Sequence, residues 1–370
     1  MGIKNLHQFL RKACPLIYNE QHISKLAYQK VAIDTSIYMC KFKTTCGKNW
    51  LDGFLQLITV LRENEIHPVF VYDTKFPPEK EQEKKNRTLA RLKTKERVET
   101  IFRDWESYKG GFEETPAVFT EDRIPVEREN MSVDLYEYLQ KHYPQRTELS
   151  VAEVDRDIDH LLNTLLSIRS EDFETTRTLL NLLGVPWIHA TGEAEATCAV
   201  LCRRGVVYAV LSEDTDVMCY KAPRFCHRLN VLGQTIVMIE YQDVLTRLEF
   251  TEDQFLDFCI MCGTDYNTNL AKIGPEKSYR LLKKFGSLEM IREQNSNLDM
   301  TDLPFLRVRE IFLDEQSLDL PEIPFCGLPQ LQPLLEFCFT HNCRFELPRL
   351  VKAFSTNPHL QFEDQEEKEK

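Results

Sequence analysis

The sequence has no run of about 18 apolar residues and no charged-then-apolar leader at its start, so no transmembrane helix or secretory signal is expected and a soluble intracellular protein is the default. It has no excess of positive charge. With 46 Lys and Arg against 58 Asp and Glu, the formal net charge is −12, which taken alone argues against a nucleic-acid partner. Cys259 and Cys262 form a C-x-x-C, but no second pair of cysteines or histidines lies nearby at ligand spacing. The stretch "FCIMC" reads as buried helix, and the twelve cysteines read as structural thiols rather than zinc or redox chemistry. No acid stands two residues after Asp34, where Ser36 sits, which excludes an aspartyl-phosphate phosphatase.

The charge is unevenly spread. Residues 1 to 97 carry 18 Lys and Arg against 10 Asp and Glu, so the acidity belongs to the rest of the chain. A basic N-terminal quarter can meet phosphate locally while the whole stays soluble. At 370 residues the chain can bury one large core or two smaller ones.

The stretch from Thr191 to Asp216 carries two acidic pairs, Glu193/Glu195 and Asp214/Asp216. Residues two apart on a helix point roughly 200° away from each other, so the first pair can serve one site only at a helix's first turn, which Thr191-Gly192 announces. The second pair follows the apolar run "VVYAVL", where a buried strand gives out. A lone acid-x-acid pair is usually solvated charge. Here the pattern repeats: "KVAID" ends on Asp34, "PVFVYD" on Asp73, and "FCIMCGTDY" brings Asp265 after another apolar run. Seven gathered carboxylates repel unless cations join them, and oxygen ligands suit Mg²⁺ or Mn²⁺.

Helical spacing of Ile3, Leu6, Phe9 and Leu10 opens the chain, helices are expected over Thr35–Phe42 and Asp52–Glu63, and strands at "KVAID" and "PVFVYD" alternate with them. That alternation predicts an α/β fold with a parallel sheet. After Pro77-Pro78, Lys80, Lys84, Arg87, Arg91 and Lys95 recur at spacings of four, three, four and four and share one predicted helical face. The stripe reads equally as a solvated helix or as a face that follows phosphates. Between 104 and 170 the sequence "YKGGFEETPAVFTEDRIPVEREN" reads as loop, followed by two helices without assignable chemistry. "AKIGPEKSYRLLKKFGSLEMI" reads as turn, helix, turn, helix, with Gly274 at a helix start beside Lys272 and Lys277, a place where backbone N–H groups can meet a phosphate.

In order, "MGIKNL", "VAIDTS", "PVFVYD", "GVPWIHATGEAEA", "SEDTD", "CGTDY" and "IGPEK" resemble the XPG/flap endonuclease family of structure-specific 5′ nucleases, from Met1 to about Ala353 apart from the 104–170 segment. The resemblance implies a PIN-like nuclease core, a mostly parallel sheet flanked by helices, with a helix-two-turn-helix that grips duplex DNA. It implies two Mg²⁺ ions, the first held by Asp34, Asp73 and Glu193, the second by Glu195, Asp214, Asp216 and Asp265. Lys80 and Arg87 match the family's active-site basic pair, Gly2 places the N-terminus near the site, and Lys84, Arg91, Lys95, Lys272, Gly274 and Lys277 fall on DNA contacts. The family carries K⁺ at the hairpin turn; Lys272 stands where many relatives have a glycine. Cys40 occupies the position of a stacking aromatic, with Tyr38 two residues before it. No Q-x-x-[IL]-x-x-F-F sliding-clamp motif occurs, which suits a divergent, viral member.

The implied activity is hydrolysis of flapped or branched DNA in replication, repair or recombination, by a monomer in the nucleus or a host nucleus, without a membrane partner. A DNA-binding scaffold without catalysis is the alternative; an RNase of related acidic sites leaves the duplex-gripping hairpin unexplained. The expected organisation is a nuclease region with a basic arch helix (1–103), an insertion (104–170), an internal nuclease region with the hairpin (171–295), C-terminal helices (296–355) and an acidic tail (356–370).

Overall fold

Short apolar runs that turn acidic at their ends make the central strands of a sheet. The computed structural model describes residues 2–113, 123–295, 298–314 and 322–355; the acidic tail lies outside them. The strands are β1 (Asn19–His22), β2 (Lys30–Asp34), β3 (His67–Tyr72), β4 (Arg123–Pro125), β5 (Glu148–Ser150), β6 (Trp187–His189), β7 (Ala209–Leu211), β8 (Arg224–Asn230) and β9 (Thr235–Glu240). Seven of them form one sheet in the order β1-β9-β8-β7-β2-β3-β6. The neighbours from β8 to β6 pair in parallel, and β9 and β1 continue antiparallel at one edge. Every residue of β3 and β7 is buried, as strands covered on both faces require, whereas the edge strand β1 is largely exposed.

The strand order reverses between β2 and β7. From β2 the chain steps to β3 and β6 on one side, and it returns to place β7 on the other. Chain ends on the carboxyl side of such a reversal diverge and leave a crevice, the usual place for a site in this class of sheet.

Two compact units make up the chain. One comprises Met1–Met39, Leu51–Glu83 and Arg169–Lys370; the other comprises Cys40–Trp50 and Lys84–Ile168. The first holds the seven-stranded sheet and a core in which Phe225, Phe255 and Phe258 are fully buried, each contributing about 1.5–3 kcal/mol. Its helix Glu252–Cys262 begins with a reciprocal capping box between Thr251 and Gln254, and buries Cys259 and Cys262 in the core, as the apolar context of the C-x-x-C anticipates.

The second unit has its own core, built by Trp105, Tyr108, Leu135, Tyr138 and Val154, around the β4–β5 ribbon. Here the sequence reading needs correction. The helix Glu81–Glu113 runs on through Gly110 and Gly111, where a loop was expected. Nothing lies within 4 Å of a Cβ built on either glycine, so the pair sits on an open face, and Trp105 and Tyr108 anchor the turns before it. Trp105 Nε1 donates to Asp155 Oδ1 at 2.6 Å and Tyr108 donates to the Pro125 carbonyl at 2.7 Å, and this tertiary anchoring outweighs glycine's poor helix propensity. Residues 114–122 of the expected loop lie outside the described residues.

Among the described residues no helix is long and apolar enough to cross a membrane.

Candidate active site

Asp34 is the last residue of β2 and Asp73 follows β3 directly. Glu193 stands after β6 as the N-cap of the helix Ala194–Arg203, with Glu195 in its first turn, so the pair shares one helix end as its spacing demands. Asp214 follows β7, and Asp216 opens the short helix Asp216–Cys219. Asp265 follows the helix Glu252–Cys262. All seven lie in the first unit, and three of them, Asp34, Asp73 and Asp214, stand at the carboxyl end of a parallel strand or within three residues beyond it.

Local hydrogen bonds fix these carboxylates. Asp34 Oδ1 accepts from the Ile37 N–H at 3.3 Å, and Asp73 accepts from Ser36 Oγ at 2.6 Å and from the Ala194 N–H at 2.8 Å, which ties β3 to the acidic helix. Asp214 Oδ1 accepts from the Asp216 N–H at 3.0 Å. Glu193 accepts from the hydroxyl of Tyr266 and from that of Tyr220 at 3.4 Å, and the two hydroxyls meet at 2.6 Å. Neither tyrosine was singled out in the sequence, although Tyr266 is the immediate neighbour of Asp265.

Lys80 is buried among the acids, paired with Glu193 and 3.3 Å from Asp265 Oδ2. This corrects its place in the basic stripe. Pro77-Pro78 starts a 3₁₀ turn, Pro78–Lys80, which separates Lys80 from the helix that follows. Lys84, Arg87, Arg91 and Lys95 are exposed on that helix, in the second unit; Arg91 donates to the Leu165 carbonyl at 3.1 Å, and Lys95 pairs with Glu99 at 3.6 Å.

The charge balance is strained toward the neutral acids. Burial, and then Asp73, push the Asp34 carboxyl well above the usual range; burial followed by Asp34 and Asp214 does the same to Glu195, and burial followed by Asp214 and Asp265 to Asp216. Burial also raises Asp214. Burial by itself would lower the Lys80 ammonium, but Glu193, Glu195 and Asp265 outweigh it and raise Lys80 above the ordinary lysine value.

The beginning of the chain closes one side. The Ile3 N–H donates to Thr215 Oγ1 at 2.8 Å. Gly2 has φ +78°, and a Cβ there would stand 2.1 Å from Asp214 Oδ1 and 2.7 Å from Asp216 Oδ1, so only glycine fits.

The donor set suits a hard divalent cation: every group is a carboxylate oxygen, and Asp216 Oδ1 is buried without a hydrogen-bond partner. Among the described residues no three acidic, histidine or cysteine side chains converge on one point as they stand, and the positive charge between Glu193 and Asp265 is the Lys80 ammonium. A neighbouring cavity of about 810 Å³, lined by Phe76, Pro77, Gly192, Tyr220, Leu306 and Ile311, touches only Glu193 among the seven.

In the hairpin region Gly274 caps the helix Pro275–Phe285, and nothing lies within 4 Å of a Cβ built on it. Lys272 and Lys277 are exposed, and the Lys277 ammonium donates to the Lys272 carbonyl at 3.1 Å. Lys272 holds φ +61°, the left-handed backbone for which glycine is the favoured residue. Tyr38, by contrast, is only 1% exposed, so it offers no face for a base, while Cys40 is exposed.

The XPG N-terminal domain matches residues 1–94 and the XPG I-region residues 184–265. All seven acids, Gly2 and Lys80 fall inside these two ranges, and most of the second unit falls outside them. The chain is 33% identical over 338 residues to a probable RAD2-like endonuclease 076L of Invertebrate iridescent virus 3, across 86% of this chain and 87% of that protein. It is 30% identical over 376 residues to flap endonuclease 1-A of Oryza sativa subsp. japonica, across 95% and 85% respectively. Its fold is similar to that of the catalytic core of Rad2 in complex with DNA substrate, with a TM-score of 0.61 at 19% identity, covering 92% of this chain and 95% of that one.

Proposed function

Because the chain belongs to the XPG/flap endonuclease family of nucleases, we propose that it hydrolyses phosphodiester bonds of 5′-flapped or branched DNA with divalent metal ions, Mg²⁺ or Mn²⁺. Cleavage would leave a 5′-phosphate and a 3′-hydroxyl, in replication, repair or recombination in the nucleus or a host nucleus. The observation that carries this reading is that the seven carboxylates lie near enough to shift one another's protonation, around the buried ammonium of Lys80.

Asp34, Asp73 and Glu193 would hold one ion; Glu195, Asp214, Asp216 and Asp265 would serve a second, some through water. When bound, such ions lower the pKa of an attacking water and stabilise the leaving oxygen. The remaining work falls to the chain. Ser36 and the Ala194 N–H hold Asp73 in a fixed orientation, and Tyr266 and Tyr220 do the same for Glu193. Lys80 and Arg87 would stabilise charge building on the scissile phosphate, a contact worth on the order of 2.7–4 kcal/mol. Lys84, Arg91 and Lys95 would follow the phosphates further along the helix face. Gly274, Lys272 and Lys277 would meet duplex DNA through backbone N–H groups and ammonium charge; a K⁺ ion at that turn is part of the proposal.

The test is cleavage of matched flap, bubble, nicked and single-stranded DNA in Mg²⁺ by the native chain and by Asp214→Ala. The variant is expected to bind the flap and not cut it. Unchanged turnover by Asp214→Ala refutes the site. The Lys80 ammonium standing between Glu193 and Asp265, where a cation would sit, favours one second reading, a DNA-binding scaffold without catalysis; it predicts binding with no metal-dependent product from the native chain.

A further inference from the structure

The end of the helix Leu331–Thr340 brings together two thiols. The Cys343 N–H donates to the Cys338 carbonyl at 2.9 Å, and the Asn342 N–H to the Phe339 carbonyl at 3.2 Å. Asn342 has φ +51°. These two bonds around a left-handed residue make a Schellman motif, in which the side chains at the first and sixth positions ordinarily meet in an apolar contact. Here both are cysteines. Cys338 and Cys343 are hydrogen-bonded to each other through their side chains, which lowers the first thiol's pKa and raises that of the second. Cys338 is buried and Cys343 is partly exposed.

A second thiol pair isolates what matters. Cys219 and Cys259 are also hydrogen-bonded side chain to side chain, but both are enclosed in the core, where burial first of all raises their pKa and no reagent reaches them. The motif at 338–343 differs by offering one sulfur to solvent with a second held behind it.

We propose that Cys338 and Cys343 form a redox-active dithiol, a modification site at which low-molecular-weight disulfides such as oxidised glutathione are exchanged for an intramolecular disulfide. Cys343, as thiolate, attacks one sulfur of oxidised glutathione; a protein–glutathione bond forms and one glutathione thiolate leaves. The Cys338 thiolate then attacks Cys343 Sγ, and the second glutathione thiolate leaves. Two protein thiols are oxidised, the glutathione disulfide is reduced, and the two protons lost by the protein thiols are taken up by the two departing glutathione thiolates. Because hydrogen bonding to Cys338 holds the proton on Cys343, the first step quickens as pH rises. The disulfide clamps residues 339–342. The next residue, Arg344, donates its N–H to Asp52 Oδ1 at 3.0 Å, so the clamp lies beside the seam between the C-terminal helices and the helix Trp50–Glu63.

The native full chain, equilibrated in glutathione redox buffers, denatured, alkylated and digested, tests this by mass spectrometry. The peptide carrying both cysteines should lose two hydrogens, resist alkylation and recover with dithiothreitol, while Cys219 and Cys259 alkylate fully throughout. Cys338→Ser should retain one glutathione on Cys343, and Cys343→Ser should leave Cys338 reduced, with circular dichroism reporting the fold of each. Full alkylation of both sulfurs in the oxidised native protein overturns the proposal, whatever the variants do. So does an unmodified Cys343 in a folded Cys338→Ser protein.

Discussion

Lys80 Nζ lies 3.3 Å from Asp265 Oδ2 while also pairing with Glu193, so a single ammonium neutralises two buried carboxylates that reach it from different elements. Removing one partner of a buried pair costs about 3–5 kcal/mol, because the other charge stays buried. Lys80→Met is therefore expected to destabilise the protein by about that amount in a chelator. If a divalent cation takes the same carboxylates, adding Mg²⁺ should stabilise the variant more than the native chain, since the ammonium no longer competes. Calorimetry with and without Mg²⁺ measures this, and equal shifts in the two proteins would show that cation and lysine do not share a site.

Gly2→Ala places a methyl group 2.1 Å from Asp214 Oδ1 on a backbone at φ +78°. Overpacking of this kind costs about 1–3 kcal/mol, and here it falls on two proposed metal ligands and the Thr215 contact. Both the urea midpoint and the flap-cleavage rate should drop. A variant native in both respects would show that the chain's start is free to move away.

His7 and His227 stack with ring centroids 4.5 Å apart, and burial, the largest cause for each, lowers their pKa values to about 4 and about 3. Above an unfolded value of about 6.5 both states are neutral and the stability is fully present. As pH falls below that value the unfolded chain takes up protons that the native chain refuses, so stability is lost, by at most about 2 kcal/mol per histidine between pH 7 and 5. The raised carboxylates of the acidic cluster act in the opposite sense. The measurement is therefore the difference between the native chain and His227→Phe, whose stability should fall less steeply in that interval. Parallel curves would contradict it.

Lys272 adopts φ +61°. A left-handed residue with a Cβ costs roughly 1–2 kcal/mol, and glycine returns part of that as chain entropy, roughly 0.5–1 kcal/mol. Lys272→Gly should raise stability by about 0.5–1 kcal/mol while weakening duplex binding through loss of one charge. Denaturant unfolding and a salt titration of DNA binding separate the two effects; a destabilised variant would mean that the lysine side chain holds the turn.

The strands and the acids at their ends were legible because both signals are local: "KVAID" and "PVFVYD" carry the buried run and its terminating acid in one stretch. The helix end under Glu193 and Glu195 was legible for the same reason. The spacing of Lys80 from Lys84 was misleading, because period alone cannot show that Pro78 opens a separate turn. The glycine pair at 110–111 was likewise read as a break, since the tryptophan and tyrosine that hold its helix find their partners at Asp155 and Pro125.

By itself, then, the sequence determined which residues could bind a cation and which elements carry them, because apolar periodicity and chain chemistry are properties of neighbours. Only the tertiary structure decided that Lys80 stands among the acids, that Tyr266 and Ser36 orient two of them, and that Ile3 meets Thr215 across 212 positions. Those contacts depend on which faces the sheet order β7-β2-β3 brings together, and burial there gives each charge its price in free energy only once the chain has closed around it.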